Sequence, residues 1–330
     1  MLFSLLNVPP ASASTAAGSG GAGAPGAGAG LAAAGAPAAA RVPKRRPHVL
    51  REGAARALFG TAAALSIAAV ALICLFLLAN GVPAMAEIGL PEFLFGTTWR
   101  PVNDLYGIFP MIVGSLYVTA GAMIVGVPGG LLTALYFSRF ARGRTGSFLR
   151  SGVELLAGIP SVVYGFFGLV IIVPFVRLLG PGTGLSVLAA SLILGIMILP
   201  TVITVAQSAL DAVPARYYEG ALALGVDHEH AVFKVVAPAA ASGIMAAIVL
   251  GLGRAIGETM AVVMVAGNMP VIPDSLLSGV RTMTANIVLE MGYAADLHRE
   301  ALIATGVVLF VFILLITMLL NVIRKRGEAR

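Results

Sequence analysis

The sequence predicts an all-α integral membrane protein with six membrane-spanning helices. Of its 330 residues, 58% are hydrophobic and only 11% are charged, and the mean hydropathy is +0.97. Soluble domains carry about 25% charged residues. The charged residues are also unevenly spaced, because several stretches without Asp, Glu, Lys or Arg reach the roughly 20 residues that cross a bilayer core. Lipid is therefore the main solvent that we expect for this chain.

The N-terminal region differs from the rest of the chain. Residues 1–40 are mostly Ala, Gly, Pro and Ser without any charge, a composition that buries too little apolar surface to order a chain. We expect residues 1–57 to form a disordered and then basic tail. The opening MLFSLLNVPP has no basic n-region, so a cleaved secretory signal is not predicted. The single cysteine, Cys74, excludes an intrachain disulfide.

The charge-free stretches place the six helices in chain order. They are predicted near residues 58–81, 111–138, 154–177, 184–208, 239–267 and 301–323. The fifth stretch is interrupted only by Arg254 and Glu258. Together they predict a six-helix membrane domain over residues 58–324, followed by a short tail over 325–330.

The basic residues predict the orientation of these helices. Lys and Arg cluster before the first helix and after the second, fourth and sixth. Because positively charged loops stay on the cytoplasmic side, both termini are predicted to be cytoplasmic. The formal charge of +6 does not indicate a nucleic-acid partner, since the basic residues lie in short runs between apolar segments rather than in one patch.

Two segments on the opposite side are longer than turns. Residues 83–110 mix aromatic residues with Pro and Gly, which predicts chain lying at the lipid interface. Residues 268–299 are more polar, and fit an external partner surface and a solvated loop equally well.

Residues 211–238, between the fourth and fifth helices, predict a hairpin of two short helices. Pro214 favours the start of the first, and Gly225 supplies the left-handed position that ends it. Asp227 is suited to cap the second helix. His228 and His230 flank Glu229 on this polar surface, and we predict no metal site there.

This loop resembles the E-A-A-x3-G-x9-I-x-L-P loop of ATP-binding cassette (ABC) importer permeases. The matching positions are Glu219, Gly220, Ala221, Gly225 and Val235–Pro238, with Gly220 and Ala237 departing from the pattern by small or apolar residues. The resemblance implies the type I ABC importer permease fold, with a cytoplasmic coupling loop in which Glu219, Gly220, Ala221, Gly225 and Pro238 dock on an ATPase subunit.

The chain has no ATP-binding motif of its own. None of its three lysines, Lys44, Lys234 and Lys325, lies in a G-x-x-x-x-G-K-[ST] phosphate loop. We therefore expect a transport subunit rather than an enzyme, with no bound cofactor and with ATP hydrolysed by partner subunits.

Two segments within the predicted helices are candidates for a solute pathway. Arg254 and Glu258 stand four residues apart, on one face of a helix where they can pair. In the third helix, Gly158 and Pro160 break an apolar run, so a half-helix starting at Ser161 would direct backbone N–H groups at an anion. An equally simple interpretation of Arg254 and Glu258 is a structural bridge between helices.

These two segments closely resemble permeases of the PstC type, from the phosphate-specific ABC importer, through GIPSVVYGFFGL and RAIGETMAVVMVAGN. The resemblance implies inward transport of inorganic phosphate across the bacterial inner membrane. It implies as partners a PstA-type permease, two ATPase subunits and an extracytoplasmic phosphate-binding protein, with Arg254, Glu258, Ser161 and Gly158 on the pathway. Two alternatives stay open: a permease for another oxyanion such as sulfate or molybdate, and a proton-coupled secondary transporter using Arg254, Glu258 and Glu154.

Overall fold

The computed structural model of the protein describes residues 49–141 and 143–328, without the side chains of 49–54 and 323–328. The chain divides into two units, Met1–Leu58 and Phe59–Arg330. Of the first unit, the structure describes the start of one helix, which begins at Val49, earlier than the predicted 58. The remainder of the predicted N-terminal tail, residues 1–48, lies outside the described residues.

The described chain is built almost entirely from helices. They are α1 (Val49–Ile88), α2 (Leu90–Phe95), α3 (Phe109–Leu135), α4 (Gly143–Gly158), α5 (Ser161–Phe167), α6 (Val173–Arg177), α7 (Val187–Asp211), α8 (Ala215–Ala223), α9 (His228–Ala231), α10 (Ala237–Ala239), α11 (Ala241–Gly257), α12 (Met260–Val265), α13 (Met283–Glu290) and α14 (Asp296–Glu328). Strands β1 (Trp99–Arg100) and β2 (Leu105–Tyr106) pair antiparallel between α2 and α3. Segments Tyr136–Phe140, Gly168–Ile172 and Val232–Val236 are π-helical continuations of neighbouring helices.

The predicted six spans are confirmed, in two different forms. Among the described residues, four helices are long and apolar enough to cross a bilayer, namely Ala55–Ile88, Phe109–Phe140, Val187–Asp211 and Asp296–Val322. The number reaches six if each of two bent pairs of helices is one span: Gly143–Gly158 with Ser161–Arg177, bent by 100°, and His228–Ala239 with Ala241–Gly257, bent by 71°.

The break that Gly158 and Pro160 predict in the third helix is present, whereas the prediction of an unbroken fifth helix was wrong. The predicted helix 154–177 is broken at Ile159 and Pro160, because proline has no N–H to donate and disfavours a helical conformation in the residue before it. The predicted helix 239–267 is interrupted at Glu258, whose backbone is extended with φ −71° and ψ 131°. At the C-terminus, α14 continues to Glu328, into the predicted tail.

Residues 83–110, which are predicted to lie at the lipid interface, turn three of their aromatic side chains into the protein. Phe93, Trp99 and Tyr106 are buried, and they form one apolar cluster with residues of α13 and α14. Phe95 does remain exposed. Trp99 and Tyr106 thus anchor the two strands on the protein, while Arg100, Val102 and Leu105 remain exposed.

Helices α3 and α7 form the centre of the core, and glycines on α3 allow their close approach. A Cβ atom at Gly121 would lie 2.3 Å from Ser191 Oγ, and one at Gly126 would lie 2.7 Å from the Gly195 carbonyl oxygen. Small residues at such contacts let membrane helices pack backbone to backbone.

We expect Gly126→Ala to destabilise the protein and Gly129→Ala to leave it unchanged or slightly stabilised. The first change places a methyl group against backbone and Ile198, and overpacking of this kind costs about 1–3 kcal/mol. The second places it at an ordinary 3.5 Å from Leu199. Thermal unfolding in detergent, followed by the fluorescence of the single tryptophan, Trp99, checks this. Equal midpoints for the two variants would contradict the packing described for α3 and α7.

Candidate functional site

The first helix break lies between α4 and α5. Pro160 is the N-cap residue of α5 with φ −60° and ψ 144°, and Ser161 begins the helix as predicted. The Tyr164 hydroxyl donates to the Leu156 carbonyl at 2.8 Å, joining the two arms of the bend. Gly158 is exposed, and a Cβ atom there would meet nothing within 4 Å. The bend is thus fixed by a side chain rather than left as a frayed end.

The second break lies between α11 and α12, at Glu258 and Thr259. The Glu258 carboxylate accepts a hydrogen bond from the Ala261 N–H at 3.3 Å, so it satisfies a backbone donor in the first turn of α12. The Glu258 carbonyl accepts from the Thr284 hydroxyl at 3.2 Å. The side-chain carboxylate and the backbone carbonyl of Glu258 therefore both stabilise the interruption between α11 and α12.

The two breaks face each other across the contact between α5 and α12. A Cβ atom at Gly165 would lie 2.9 Å from Ala261 Cα and 2.8 Å from Met264 Sδ, so the helix backbones approach closely. Arg254, in the last turn of α11, is exposed and near enough to the Tyr164 phenol to interact with it electrostatically. This groups Arg254, Glu258 and the start of α5 in one region.

The structure does not form the predicted pair of Arg254 and Glu258. Helix α11 ends at Gly257, so the spacing of four residues no longer places these side chains on one helix face. Among the described side chains, no carboxylate lies within ion-pair distance of Arg254. Glu258 acts as a cap instead, and the Arg254 charge faces open space beside the two breaks.

The hairpin over residues 211–238 has the predicted local structure. Helix α8 ends at Ala223 and is followed by Gly225 in the left-handed region, with φ +84°. The N–H groups of Gly225 and Val226 donate to the carbonyls of Leu222 and Ala221. This is the pairing of a Schellman cap. The Asp227 carboxylate caps α9 by accepting from the His230 N–H at 2.9 Å.

The hairpin leaves part of the predicted docking face accessible. Glu219, Gly220 and Pro238 are exposed, and a Cβ atom at Gly220 would meet nothing within 4 Å. Ala221, which the resemblance places among the docking residues, is buried. The Ala221 methyl group lies on the face of α8 that packs against the rest of the hairpin.

The cap at Asp227 depends on ionisation. The hydrogen bond from the His230 backbone, followed by that from the His230 side chain, lowers the pKa of the Asp227 carboxyl. Because the folded pKa lies below the unfolded one, the cap contributes its stability above the unfolded pKa. This stability is lost as the pH falls through the folded pKa.

A buried polar network near α13 was missed by the sequence analysis. The Glu290 carboxylate, 6% exposed as a residue, accepts from the Trp99 indole at 2.9 Å, lies 2.9 Å from His298 Nε2 and pairs with Arg281. Arg281 also donates to the Asn268 carbonyl at 2.9 Å. The sequence signal for this network is the charge of Glu290 next to the apolar run Ile287–Leu289, in a segment that fits a partner surface and a solvated loop equally well on sequence alone.

The comparisons with known proteins agree with this architecture. Residues 126–328 match the family described as "Binding-protein-dependent transport system inner membrane component". The chain belongs to this family. It is therefore a permease subunit of an ABC importer and an integral protein of the inner membrane. Members of the family work with ATPase and substrate-binding components.

Individual relatives cover most of the chain. The "Probable ABC transporter permease protein YqgH" of Bacillus subtilis is 36% identical, over 87% of this chain and 95% of its own length. The "Phosphate transport system permease protein PstC" of Mesorhizobium japonicum is 33% identical, over 78% and 85%. That of Pasteurella multocida is 34% identical, over 71% and 78%.

A solved structure supports the fold assignment. The inward-facing MetNI methionine ABC transporter matches with a TM-score of 0.52 and 21% identity, over 70% of this chain and 99% of the matched chain. At this identity the likeness concerns the fold alone. The chain thus has the type I ABC importer permease fold.

We expect Glu290→Gln to lower the stability of the permease strongly, whereas Glu300→Gln on the exposed face of α14 leaves it unchanged. Glutamine cannot balance the Arg281 charge, and it turns an amide N–H₂ towards groups that are all donors. Removing one partner of a buried ion pair costs roughly 3 kcal/mol or more. Trp99 fluorescence reports directly on unfolding of this network, since the Trp99 indole N–H donates a hydrogen bond to Glu290. Unfolding midpoints that match for both variants would show that the network contributes nothing.

Proposed function

We propose that this chain is the membrane subunit of an ATP-driven importer of inorganic phosphate. The observation that carries the proposal is the meeting of two helix breaks beside Arg254, whose charge has no carboxylate partner among the described side chains. Helices α5 and α12 both begin there, and helix N-termini favour anions through free N–H groups and the helix dipole. Because the Glu258 carboxylate already occupies the start of α12, the start of α5 is the end that is open to an anion. The segments at these breaks are also the ones that resemble PstC-type permeases, and relatives named PstC match over most of the chain.

In this mechanism, Arg254 makes a transient contact with phosphate. A guanidinium group presents paired donors that match phosphate oxygens. Glu258 keeps α12 in place through its cap, and its negative charge limits how tightly an anion is held nearby. Ser161 and the exposed backbone at Gly158 complete the polar lining on the α5 side.

The partners in the proposal follow from the same resemblance. The chain pairs with a PstA-type permease. Two ATPase subunits hydrolyse ATP, so this chain itself needs no bound cofactor. An extracytoplasmic binding protein delivers phosphate. Both termini and the hairpin over 211–238 face the cytoplasm, where Glu219, Gly220, Ala221, Gly225 and Pro238 form the ATPase contact. Ala221 contributes from the inside, by packing the hairpin.

We expect Arg254→Gln to reduce ATP-dependent phosphate uptake at least about tenfold, because a charge-assisted hydrogen bond contributes roughly 1.5–3 kcal/mol. Uptake is measured in proteoliposomes that contain the whole complex and ATP. Arg144→Gln, at an exposed arginine of α4, serves as the matched control. Uptake that survives in Arg254→Gln would remove Arg254 from the pathway. A wild-type complex that takes up sulfate or molybdate in preference to phosphate would favour the other oxyanion class.

We expect Glu219→Lys to abolish uptake by releasing the ATPase subunits, while Glu229→Lys, an equally exposed position on α9, retains them. The measurement is co-purification of the ATPase with the tagged permease, followed by uptake. Uptake without ATP, driven by a proton gradient and indifferent to Glu219→Lys, would instead support the secondary transporter.

A further inference from the structure

The two arms of the hairpin over 211–238 are braced by a side-chain pair that the docking face does not include. The Tyr218 hydroxyl of α8 lies 2.7 Å from Nδ1 of His228 at the start of α9. Their rings are 5.7 Å apart and nearly perpendicular, at 89°. Both residues are half-buried. The bond therefore joins α8 to α9 independently of the turn at Gly225.

The same pair contacts the end of α3. The His228 ring packs edge-on against Phe140, with centroids 4.6 Å apart at 65°. The neighbouring residue, Arg139, places its guanidinium 5.8 Å from the centre of the Tyr218 ring. Two successive residues of the π-helical segment that ends α3 thus touch both members of the brace.

Arg139 and Ser138 also hold the point from which the hairpin leaves α7. The Arg139 Nη2 group donates to the Leu210 carbonyl at 2.9 Å. The Ser138 hydroxyl donates to the Asp211 carboxylate at 2.5 Å. The end of α3, the end of α7 and both arms of the hairpin are therefore connected through a few adjacent side chains.

We propose that His228 is a positioning residue for coupling, which makes the hairpin and the end of α3 move as one body. The inference rests on the proposed docking of the ATPase on this hairpin. When the ATPase displaces α8, the Tyr218 bond passes the displacement to His228, and the packed Phe140 passes it to α3. Because α3 packs tightly on α7, the movement reaches the core of the membrane domain.

His230 supplies the contrast within the same helix. It is exposed, and its described contacts are with Asp227 at the start of its own helix. A change at His230 alters the surface of α9 without touching α3 or α8. His230→Ala is therefore the matched control for His228→Ala.

The first test measures the motion itself and needs no transported substrate. In a Cys74→Ser background, spin labels are placed at Arg216→Cys on α8 and Ile124→Cys on α3, both exposed positions. Distances are recorded in the assembled complex, at rest and after trapping with vanadate. We expect one narrow distribution that stays unchanged on trapping, a clear broadening in His228→Ala, and none in His230→Ala. A wild-type distance that shifts on trapping would overturn the proposal. So would a distance distribution in His228→Ala that is no broader than in wild type.

The second test measures phosphate transported per ATP hydrolysed. We expect His228→Ala to lower this ratio about tenfold, which corresponds to roughly 1.4 kcal/mol, with the ATPase still bound and active. If His228→Ala fails to assemble, Tyr218→Phe, which removes only the hydroxyl, decides the matter by the same two readouts. An unchanged ratio in the assembled variant, or an equal loss in His230→Ala, contradicts the inference. If wild type transports no phosphate, the proposed function fails while the spin-label result still decides the role of His228.

Discussion

Unpaired backbone groups are the constraint on which the rest of this structure depends. Within the hydrocarbon core water cannot satisfy an exposed N–H or C=O, so an interrupted helix is tolerated only where protein groups replace the lost bonds. Tyr164 does this for the bend between α4 and α5, and Glu258 does it for the start of α12. The Asn268 amide donates to the Val263 carbonyl at 2.7 Å and so covers the other end of α12. The two breaks are therefore built features of the fold.

Helix α13 links the second break to the buried network around Glu290. At its first turn, the Thr284 hydroxyl holds the Glu258 carbonyl, and the Met283 N–H donates to Ser115 on α3 at 2.9 Å. At its last residue, Glu290 gathers donors from β1, from the preceding loop and from α14. Hydrogen bonds thus connect these elements, through α13, to the residue that caps α12.

The sequence predicted the large elements because hydrophobic length and charge position are local properties. It also predicted the caps at Gly225 and Asp227 and the start of α5 at Ser161, since proline, glycine and aspartate act on their immediate neighbours. It failed where the partner is distant in the chain. Trp99 and Glu290 are far apart in sequence, so neither residue type nor spacing distinguishes a buried pair from an interfacial tryptophan and a solvated carboxylate.

The failed pairing of Arg254 with Glu258 changes which mechanism the residues favour. A proton relay requires groups that exchange protons across contacts, yet the Glu258 carboxylate serves as a backbone cap. Glu154 lines a separate cavity of about 190 Å³ with Arg150 and Gln207. An arginine beside the start of α5 is suited instead to binding an anion, because a guanidinium group presents paired hydrogen-bond donors that match the oxygens of an oxyanion. Movement of the anion then has to be driven by a change in the geometry of the breaks, which is what an ATPase acting through the hairpin over 211–238 would provide.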